Sequence, residues 1–373
     1  MTIKYIKSIV YGIMHKLFLT KGSRDYFALR NDLKDYDESF KKSIYQLSKA
    51  KYSVTDFVES YKNKSIRAIR IVNKTTPKNE PILICAVKND LNKIKAQIDH
   101  HRKIGIKHFA YIDNMSSDGT LEWLNEQNDI SLFVAEEYFN DSRKFAWRRQ
   151  VMDVFGYERW YIVLDSDEFL CYPGIEEIPI GGYIDYLEDK QICSLMTPMI
   201  DMYSKSDLFI MDDSKSFFDE YCYFDADSYT QYRYGEEVAV GGGPRTRLLG
   251  QKFKLSKYSM LKACSATIMG NHTVYPEYLR PVKEQKGAKA FLLHYKFLPD
   301  DIIKYREMVK TGKYDYYGNE NVKLSKKAFD AYAQVEEKNF IYEGSQKLNS
   351  SMDLLKINIC DSQFFKDFLK YTM

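Results

Sequence analysis

Residues 160–170 read WYIVLDSDEFL, an apolar run that ends in three carboxylates. The first five residues are aromatic or aliphatic without a break, which predicts a strand buried on both faces. Asp165, Asp167 and Glu168 follow at once, although adjacent like charges repel and their desolvation is costly. Ligands in open α/β sheets lie outside the carboxyl ends of the strands. Two interpretations stay open at this point: a divalent cation bound at a strand end, or a solvated acidic turn.

Short apolar strands alternate with amphipathic helices upstream of this stretch. Strands are predicted at 82–87, 108–114 and 130–137, and helices at 90–105, 116–127 and 142–157. Strands separated by helices of this length pair in parallel. We therefore predict an α/β fold with a Rossmann-like, mostly parallel sheet flanked by helices.

The chain divides into three predicted parts. A polar, proline-bearing connector, KTTPKNEP at 74–81, marks the first boundary. We expect a helical N-terminal extension at 1–78, an α/β domain at 79–310 and a helical C-terminal tail at 311–373. Within the domain, 79–172 and 173–310 form two halves. In the second half we predict strands at 193–200, 264–270 and 289–298, and a helix at about 299–310.

Composition limits the class of protein. The chain has 373 residues, 45% hydrophobic and 29% charged, which predicts a globular protein with a sizeable core. Its 31 Tyr and 22 Phe suit either flat ligands or an aromatic core. A net charge of +3 gives no nucleic-acid signal. None of the six cysteines forms a Cys-x-x-Cys pair, so we expect no structural zinc. With no secretory signal evident, we expect reduced thiols and a cytoplasmic location.

Residues 1–20 combine apolar side chains with several lysines. The stretch is too short and too charged to span a bilayer. A basic amphipathic helix on the anionic inner face of the membrane is one interpretation. A helix docked on the protein's own core is the other.

Four segments together resemble a known family. ILICAVKND, YIDNMSSDGT, SRKFAWRRQ and VLDSDEFL, in this order and spacing, resemble the nucleotide-sugar half of the GT-A glycosyltransferases, in particular the bacterial glycosyltransferase family 2-like proteins. The resemblance covers 80–172 well and extends loosely through 241–250 and 291–297. It implies metal-dependent transfer of a sugar from a nucleotide diphosphate, UDP by expectation. The implied acceptor is a hydroxyl of a surface glycan, such as lipopolysaccharide or capsule, and the implied outcome is inversion.

The resemblance places donor contacts at the strand ends. Asp113 corresponds to an aspartate that contacts the base, and Asn114 follows it. The alternative is that both only shape a turn. Ala86 and Val87 match positions that border the nucleoside. Lys88 follows near the start of a helix, where a diphosphate is favoured, although a solvated lysine explains it equally well.

Arginines supply further candidate contacts to the donor. Arg143 and Arg148 lie on the predicted helix before the acidic motif and suit bidentate phosphate binding. A salt-bridged outer face is the alternative. In GGGPRTRLLG, Gly242 allows close backbone approach to a ligand, and Arg245 and Arg247 would share one face of a strand. A glycine-rich turn with surface arginines is the alternative there.

The motif itself carries the metal prediction. Asp165 and Asp167 resemble the family's Asp-x-Asp motif, which holds Mn²⁺ or Mg²⁺ against the two phosphates. Ser166 between them is a candidate donor contact. His294, at the end of a predicted strand, is the expected third ligand, with a satisfied structural histidine as the alternative. His272 competes for that role.

The catalytic base has no clean equivalent in the sequence. An inverting transferase needs a carboxylate to deprotonate the acceptor, and Glu236 and Glu237 are the nearest candidates. Two other functions stay open: another metal-dependent nucleotide-using enzyme, such as a nucleotidyltransferase, or a non-catalytic glycan-binding or membrane-surface protein on the same fold. The glycine-free loop AVKNDLNK argues against a nucleotidyltransferase.

Overall fold

Short strands and helices alternate along most of the chain. The computed structural model describes residues 21–29, 31–50, 52–206, 216–234, 237–250, 253–280, 287–311 and 340–372. The helices are α1 (Lys21–Ala28), α2 (Glu38–Lys49), α3 (Val54–Lys62), α4 (Leu91–Lys103), α5 (Thr120–Glu126), α6 (Asp141–Phe155), α7 (Ile180–Asp189), α8 (Phe217–Glu220), α9 (Gly243–Leu249), α10 (Pro299–Thr311) and α11 (Ser362–Tyr371). The strands are β1 (Ile66–Arg70), β2 (Ile82–Val87), β3 (His108–Asp113), β4 (Ile130–Ala135), β5 (Arg159–Leu164), β6 (Glu168–Cys171), β7 (Ser194–Asp201), β8 (Tyr223–Asp225), β9 (Tyr229–Tyr234), β10 (Glu237–Gly242), β11 (Ser256–Ala263), β12 (Ile268–Met269), β13 (Val274–Tyr275), β14 (Phe291–His294) and β15 (Ser345–Lys347).

A nine-stranded sheet in the described part of the chain has the order β1-β4-β3-β2-β5-β11-β7-β14-β6. Strands β2, β3, β4 and β5 all run parallel to one another. Strand β11 is inserted antiparallel between β5 and β7, and β14 runs parallel to β7. Edge strands β1 and β6 are antiparallel. Most strands therefore point one way, which confirms the predicted α/β class.

The order of the first parallel strands indicates where a ligand crevice is expected. The chain moves outward from β2 through β3 to β4, then returns to place β5 on the other side of β2. Every residue of β4 and of β5 is buried, as expected for strands covered on both faces. Ligands of such sheets bind where the strand order reverses. The carboxyl ends of β2 and β5 flank that point here.

Three segments illustrate where the structure departs from the predicted secondary structure. Strand β11 was not predicted, because SKYSMLKA mixes serine and lysine with apolar residues. The predicted strand at 264–270 contributes only the two residues of β12, in a hairpin with β13. The stretch GGGPRTRLLG was expected to form a strand or turn, yet it forms helix α9. A proline in the first turn of α9 and a left-handed Gly250 after its end explain the difference.

The N-terminal helices pack on helix α6. Phe40 of α2 and Phe57 of α3 lie in a small core with Phe145 of α6. The Arg149 guanidinium of α6 lies 4.2 Å from the centre of the Phe40 ring, a cation–π contact. The segment predicted to be a helical extension also contains β1, which pairs with β4. This part of the chain is therefore bound to the sheet and to the helix that borders the crevice.

Aromatic side chains at the C-terminus pack into the core. Phe368 of α11 packs edge-on against Tyr172 and Tyr183, whose stacked ring centres are 4.1 Å apart. The aromatic content is thus used at least partly for packing. Residues 1–20 and 312–339, which carry predictions on the membrane and on the tail, lie outside the described residues. Across the described residues, no helix is both long enough and apolar enough to cross a bilayer.

We predict that Gly242→Ala lowers the free energy of unfolding by about 2 kcal/mol or more. Gly242 has φ of +105°, and a Cβ atom there would overlap the Ser228 carbonyl oxygen. Urea denaturation at pH 7.5 measures the change. Gly181→Ala in α7 is the control, because its Cβ would meet no atom within 4 Å, and we expect unchanged or higher stability. Equal losses in the two variants would contradict the structural explanation.

Candidate functional site

The acidic motif forms a tight turn between β5 and β6. The Glu168 amide donates to the Asp165 carbonyl oxygen at 3.1 Å. In return, the Asp165 amide donates to Glu168 Oε2 at 2.8 Å. Burial raises the pKa of Glu168, and the neighbouring Asp165 and Asp167 add to the rise. The predicted acidic stretch is therefore a tight turn that the Glu168 side chain caps.

Three cations surround the Asp165 carboxylate. Its Oδ1 lies 2.8 Å from Arg148 and 3.5 Å from Lys144, both on α6. Its Oδ2 lies 3.2 Å from Lys257 on β11, which also lies 2.5 Å from Glu168. Burial would raise the pKa of Asp165, but the three cations hold it well below its usual range. We call Lys144, Arg148 and Lys257 the cation cluster.

Asp167 faces a chain of ionic contacts from β14, β7 and α9. His294 Nε2 lies 3.5 Å from Asp167 Oδ2, and His294 Nδ1 donates to Asp201 Oδ1 at 2.7 Å. Arg245 donates to both oxygens of Asp201, each at 2.8 Å. The strand register explains why His294 lies between Asp167 and Asp201, because His294 pairs with Glu168 on β6 and with Asp201 on β7.

The cation–ligand prediction fits these residues in part. Among the described residues, no three Asp, Glu, His or Cys side chains come together as a metal-binding group. Both oxygens of Asp165 lie beside cations, so Asp165 does not fit as a ligand. Asp167 and His294 do fit, because Asp201 accepts a hydrogen bond from His294 Nδ1 and so orients Nε2 towards Asp167. One or two protein ligands, completed by water and phosphate oxygens, are usual for Mg²⁺.

Asp113 uses one carboxylate oxygen to hold its turn. It lies fully buried at the end of β3, and its Oδ1 accepts from the Ser116 amide at 3.0 Å. Its Oδ2 is buried and has no hydrogen-bond partner in the part of the chain that the structure describes. Burial raises the pKa of Asp113. Asn114 instead holds the turn, because its Nδ2 donates to the carbonyl oxygens of Ala135 and Glu137.

The last two residues of β2, and Lys88 directly after it, lie at the same edge of the sheet as Asp113. The Val87 carbonyl oxygen accepts from the Asn114 amide at 2.9 Å. Ala86 and Lys88, on either side of Val87, are partly buried. The structure thus brings the predicted β2 and β3 positions together at the carboxyl edge of the sheet.

Ser166 connects the acidic turn to helices α4 and α10. Its hydroxyl donates to the Asp90 carboxylate, just before α4. Lys93 lies 3.6 Å from Asp90 and 2.7 Å from Asp301 of α10. Ser166 is therefore tied by the protein itself, and these contacts link three elements around the crevice.

Two predicted donor contacts have structural partners outside this cluster. Arg143 lies 3.0 Å from Glu137 and 3.3 Å from Asp56 of α3, so it ties α6 to the N-terminal helices. Gly242 lies against the backbone of Ser228. The close approach predicted for this glycine is thus made by the protein chain.

The predicted base does not have the surroundings that a base needs. Glu237 lies 2.5 Å from Lys254, forms a second ion pair with Arg280 and accepts from the Thr273 hydroxyl at 2.7 Å. Burial would raise the pKa of Glu237, but these partners hold it below its usual value. A carboxylate held in its ionised form in this way is a weak base. Glu236 lies outside the described residues.

Sequence reasoning missed Lys144, Lys257 and Asp201. Lys144 was visible in the basic helix, and Asp201 directly follows the predicted strand at 193–200, so a carboxylate at another strand end was a usable signal. Lys257 lies on the strand that was not predicted, and no local signal marks it.

Comparisons with known proteins give only weak likeness. No family model and no curated protein matches the chain. Among solved structures, it is similar to mannosyltransferase PcManGT from Pyrobaculum calidifontis in complex with GDP-Man and Mn²⁺, at a TM-score of 0.25 and 11% identity over 47% of either chain. It is also similar to HddC from Yersinia pseudotuberculosis, at a TM-score of 0.28 and 10% identity over 60% of this chain and 97% of that one.

A third similar structure is a putative glucose-1-phosphate thymidylyltransferase from Bacillus anthracis, at a TM-score of 0.25 and 9% identity over 61% of this chain and 74% of that one. The chain spans less than half of the mannosyltransferase. At these TM-scores the likenesses carry no argument about function, so the function must be argued from the site.

We predict that His272→Asn flattens the dependence of stability on pH between 7.5 and 5. His272 Nδ1 donates to the Ser256 carbonyl oxygen at 3.1 Å, and burial lowers its pKa to about 4. As the pH falls below 6.5, the unfolded chain binds a proton that the folded protein refuses, so stability falls. Removing this imidazole should reduce the loss by about 2 kcal/mol, since pH 5 lies 1.5 units below the unfolded pKa.

Urea unfolding at the two pH values measures this difference. Asparagine keeps a donor for Ser256, and the other buried histidines keep part of the slope. An unchanged slope would contradict the burial of neutral His272.

Proposed function

We propose that this protein is a metal-dependent glycosyltransferase that moves a sugar from a nucleotide diphosphate, UDP in our proposal, to a hydroxyl of a glycan. One observation carries the proposal. Asp167 and His294 face each other at the crevice, with His294 held by Asp201, directly beside the cation cluster. This arrangement offers a cation site and excess positive charge within one acidic turn.

The charges around the turn suit an anionic ligand. The cation cluster and Lys296 contribute four positive charges against the three carboxylates of Asp165, Asp167 and Glu168. One positive charge is left in a largely buried setting, where charges interact more strongly than in water. A diphosphate brought to this edge is attracted by that excess, and Asp165 keeps the cations in place.

Asp167 and His294 would hold Mn²⁺ or Mg²⁺ in this proposal. The ion would neutralise the negative charge that develops on the leaving diphosphate. Lys296, whose Nζ lies 3.5 Å from Asp167, adds positive charge at the same place.

The nucleoside would lie over the ends of β2 and β3. Asp113 Oδ2 is a buried acceptor that no described residue contacts by a hydrogen bond, which suits the N–H of a base or a ribose hydroxyl. Ala86, Val87 and Lys88 border the same edge. A polar group of the donor would satisfy an oxygen that the protein leaves unsatisfied.

The acceptor and the cellular location complete the proposal. We propose a lipid-linked or surface glycan acceptor, an inverting reaction and a cytoplasmic enzyme at the inner face of the membrane. The support is the resemblance of the sequence segments and the basic, apolar composition of residues 1–20.

We predict that one nucleoside diphosphate, UDP before GDP, CDP or ADP, raises the melting temperature by a few degrees, and only with Mn²⁺. Asp167→Asn should abolish the shift. Differential scanning fluorimetry with each nucleotide, with and without Mn²⁺, measures it. Absence of any shift would favour a non-catalytic binding protein. A shift with nucleoside triphosphates, and turnover of a sugar 1-phosphate, would favour a nucleotidyltransferase.

We predict that Asp167→Asn weakens Mn²⁺ binding by at least about tenfold more than Asp165→Asn does. Both substitutions remove one negative charge from the same turn, so Asp165→Asn is the charge-matched control. Electron paramagnetic resonance of free Mn²⁺ gives both dissociation constants without turnover. Equal losses would show that the charge of the turn, and not ligation by Asp167, sets the affinity.

A further inference from the structure

Helix α4 holds the backbone of the acidic turn through one glutamine. Gln97 Nε2 donates to the Asp165 carbonyl oxygen at 2.7 Å and to the Glu168 carbonyl oxygen at 2.8 Å. Its Oε1 accepts from the Tyr111 hydroxyl at 2.8 Å. Gln97 and Tyr111 are both fully buried. A flipped amide would place its oxygen against two carbonyl oxygens, so the network admits one orientation of Gln97.

Two histidines on the next turn of α4 hold the following strand. His101 Nε2 accepts from the Leu170 amide at 3.2 Å, while His101 Nδ1 donates to the Gln97 carbonyl oxygen at 2.7 Å. His100 Nε2 donates to the Leu170 carbonyl oxygen at 2.7 Å. We call Gln97, His100 and His101 the α4 clamp.

The α4 clamp stands where a neighbouring strand would stand. Among the described residues, strand β6 lies at the edge of the sheet and pairs within it with β14 alone. Its outward amide and carbonyl groups are buried and need partners. The clamp supplies them: Gln97 serves Glu168, and the two histidines serve both backbone groups of Leu170. Side chains of one helix thus replace a strand.

The position of β6 fixes the spacing between Asp167 and His294. Asp167 immediately precedes β6, and His294 is the register partner of Glu168. The Tyr295 amide also donates to the Asp167 carbonyl oxygen at 2.9 Å. Any shift of the turn along β14 would therefore change the geometry of the two side chains that face each other.

We propose that Gln97 is a positioning residue that, with the rest of the α4 clamp, sets the geometry of the Asp167–His294 pair for cation binding. The inference rests on the proposed function, because it takes this pair as the cation site. Gln97 acts through the backbone of the turn and touches neither the cation nor the donor.

The test compares two buried glutamines. Gln97→Leu removes the clamp's contacts to the turn. Gln150→Leu is the matched control, because Gln150 is also buried and also bridges backbone groups: Nε2 donates to the Ser60 carbonyl oxygen at 3.2 Å, and Oε1 accepts from the Ile66 amide at 3.3 Å. These contacts lie between α3 and β1, away from the acidic turn. Gln97→Glu, which keeps the size of the side chain, replaces Gln97→Leu if that variant does not fold.

Two measurements on each full-length protein separate the possible failures. Hydrogen exchange of the peptide spanning 165–171 should be faster in Gln97→Leu and unchanged in Gln150→Leu. The dissociation constant for Mn²⁺, from electron paramagnetic resonance, should rise by about tenfold or more in Gln97→Leu and stay constant in Gln150→Leu. Asp167→Asn is the reference for loss of the cation site.

Unchanged exchange in the Gln97 variants overturns the clamp, whether or not Mn²⁺ binds. Faster exchange with unchanged Mn²⁺ affinity, while Asp167→Asn loses affinity, overturns the positioning role and leaves the proposed function in place. Unchanged affinity in Asp167→Asn overturns the cation site itself and, with it, the positioning role. Equal loss of affinity in Gln97→Leu and Gln150→Leu would show a general effect of stability, and would also overturn the role of Gln97.

Discussion

The cost of desolvating carboxylates at one edge of the sheet explains most of the arrangement around the crevice. Glu168 and Asp201 are buried, and the Asp165 side chain is only 35% exposed. Charges withdrawn from water persist only when they are paired and hydrogen-bonded. Their partners come from α6, α9 and β11, which are distant in sequence. The insertion of β11 next to β5 brings Lys257 to the turn. The strand order therefore also determines which cations balance the carboxylates at this edge of the sheet.

Local patterns in the sequence were sufficient for the first half of the sheet. The strands at 82–87, 108–113, 130–135 and 159–164 match the predicted runs to within a few residues at their ends, because strands buried on both faces leave a continuous apolar signal. The same reasoning failed at β11. Lys257 of this strand is buried because two carboxylates, Asp165 and Glu168, lie beside it. Those contacts form only in the folded protein. A propensity-based prediction has no access to them.

The candidate site shows the same division between local and tertiary information. Strand-end carboxylates such as Asp113 and Asp167 are visible in sequence, since their position relative to an apolar run is local. The side chains that contact these carboxylates were not visible in the sequence. Asp165 was predicted to hold a cation, and it is instead enclosed by the cation cluster. Arg143 and Glu237 carry the expected charge, but their ion pairs lie elsewhere. Charge alone predicts a residue's chemistry and leaves its orientation open.

The covering of β6 by helix side chains has a consequence for the protein's solution behaviour. An uncovered edge strand invites pairing with another polypeptide, which leads to aggregation or domain swapping. The imidazoles of the α4 clamp hydrogen-bond to the amide and the carbonyl group of Leu170. These two backbone groups of β6 therefore cannot pair with another strand. Burial lowers the pKa of His101 well below its usual value, so its acceptor nitrogen stays unprotonated at neutral pH. The clamp that holds the acidic turn in place thus also protects this edge against self-association.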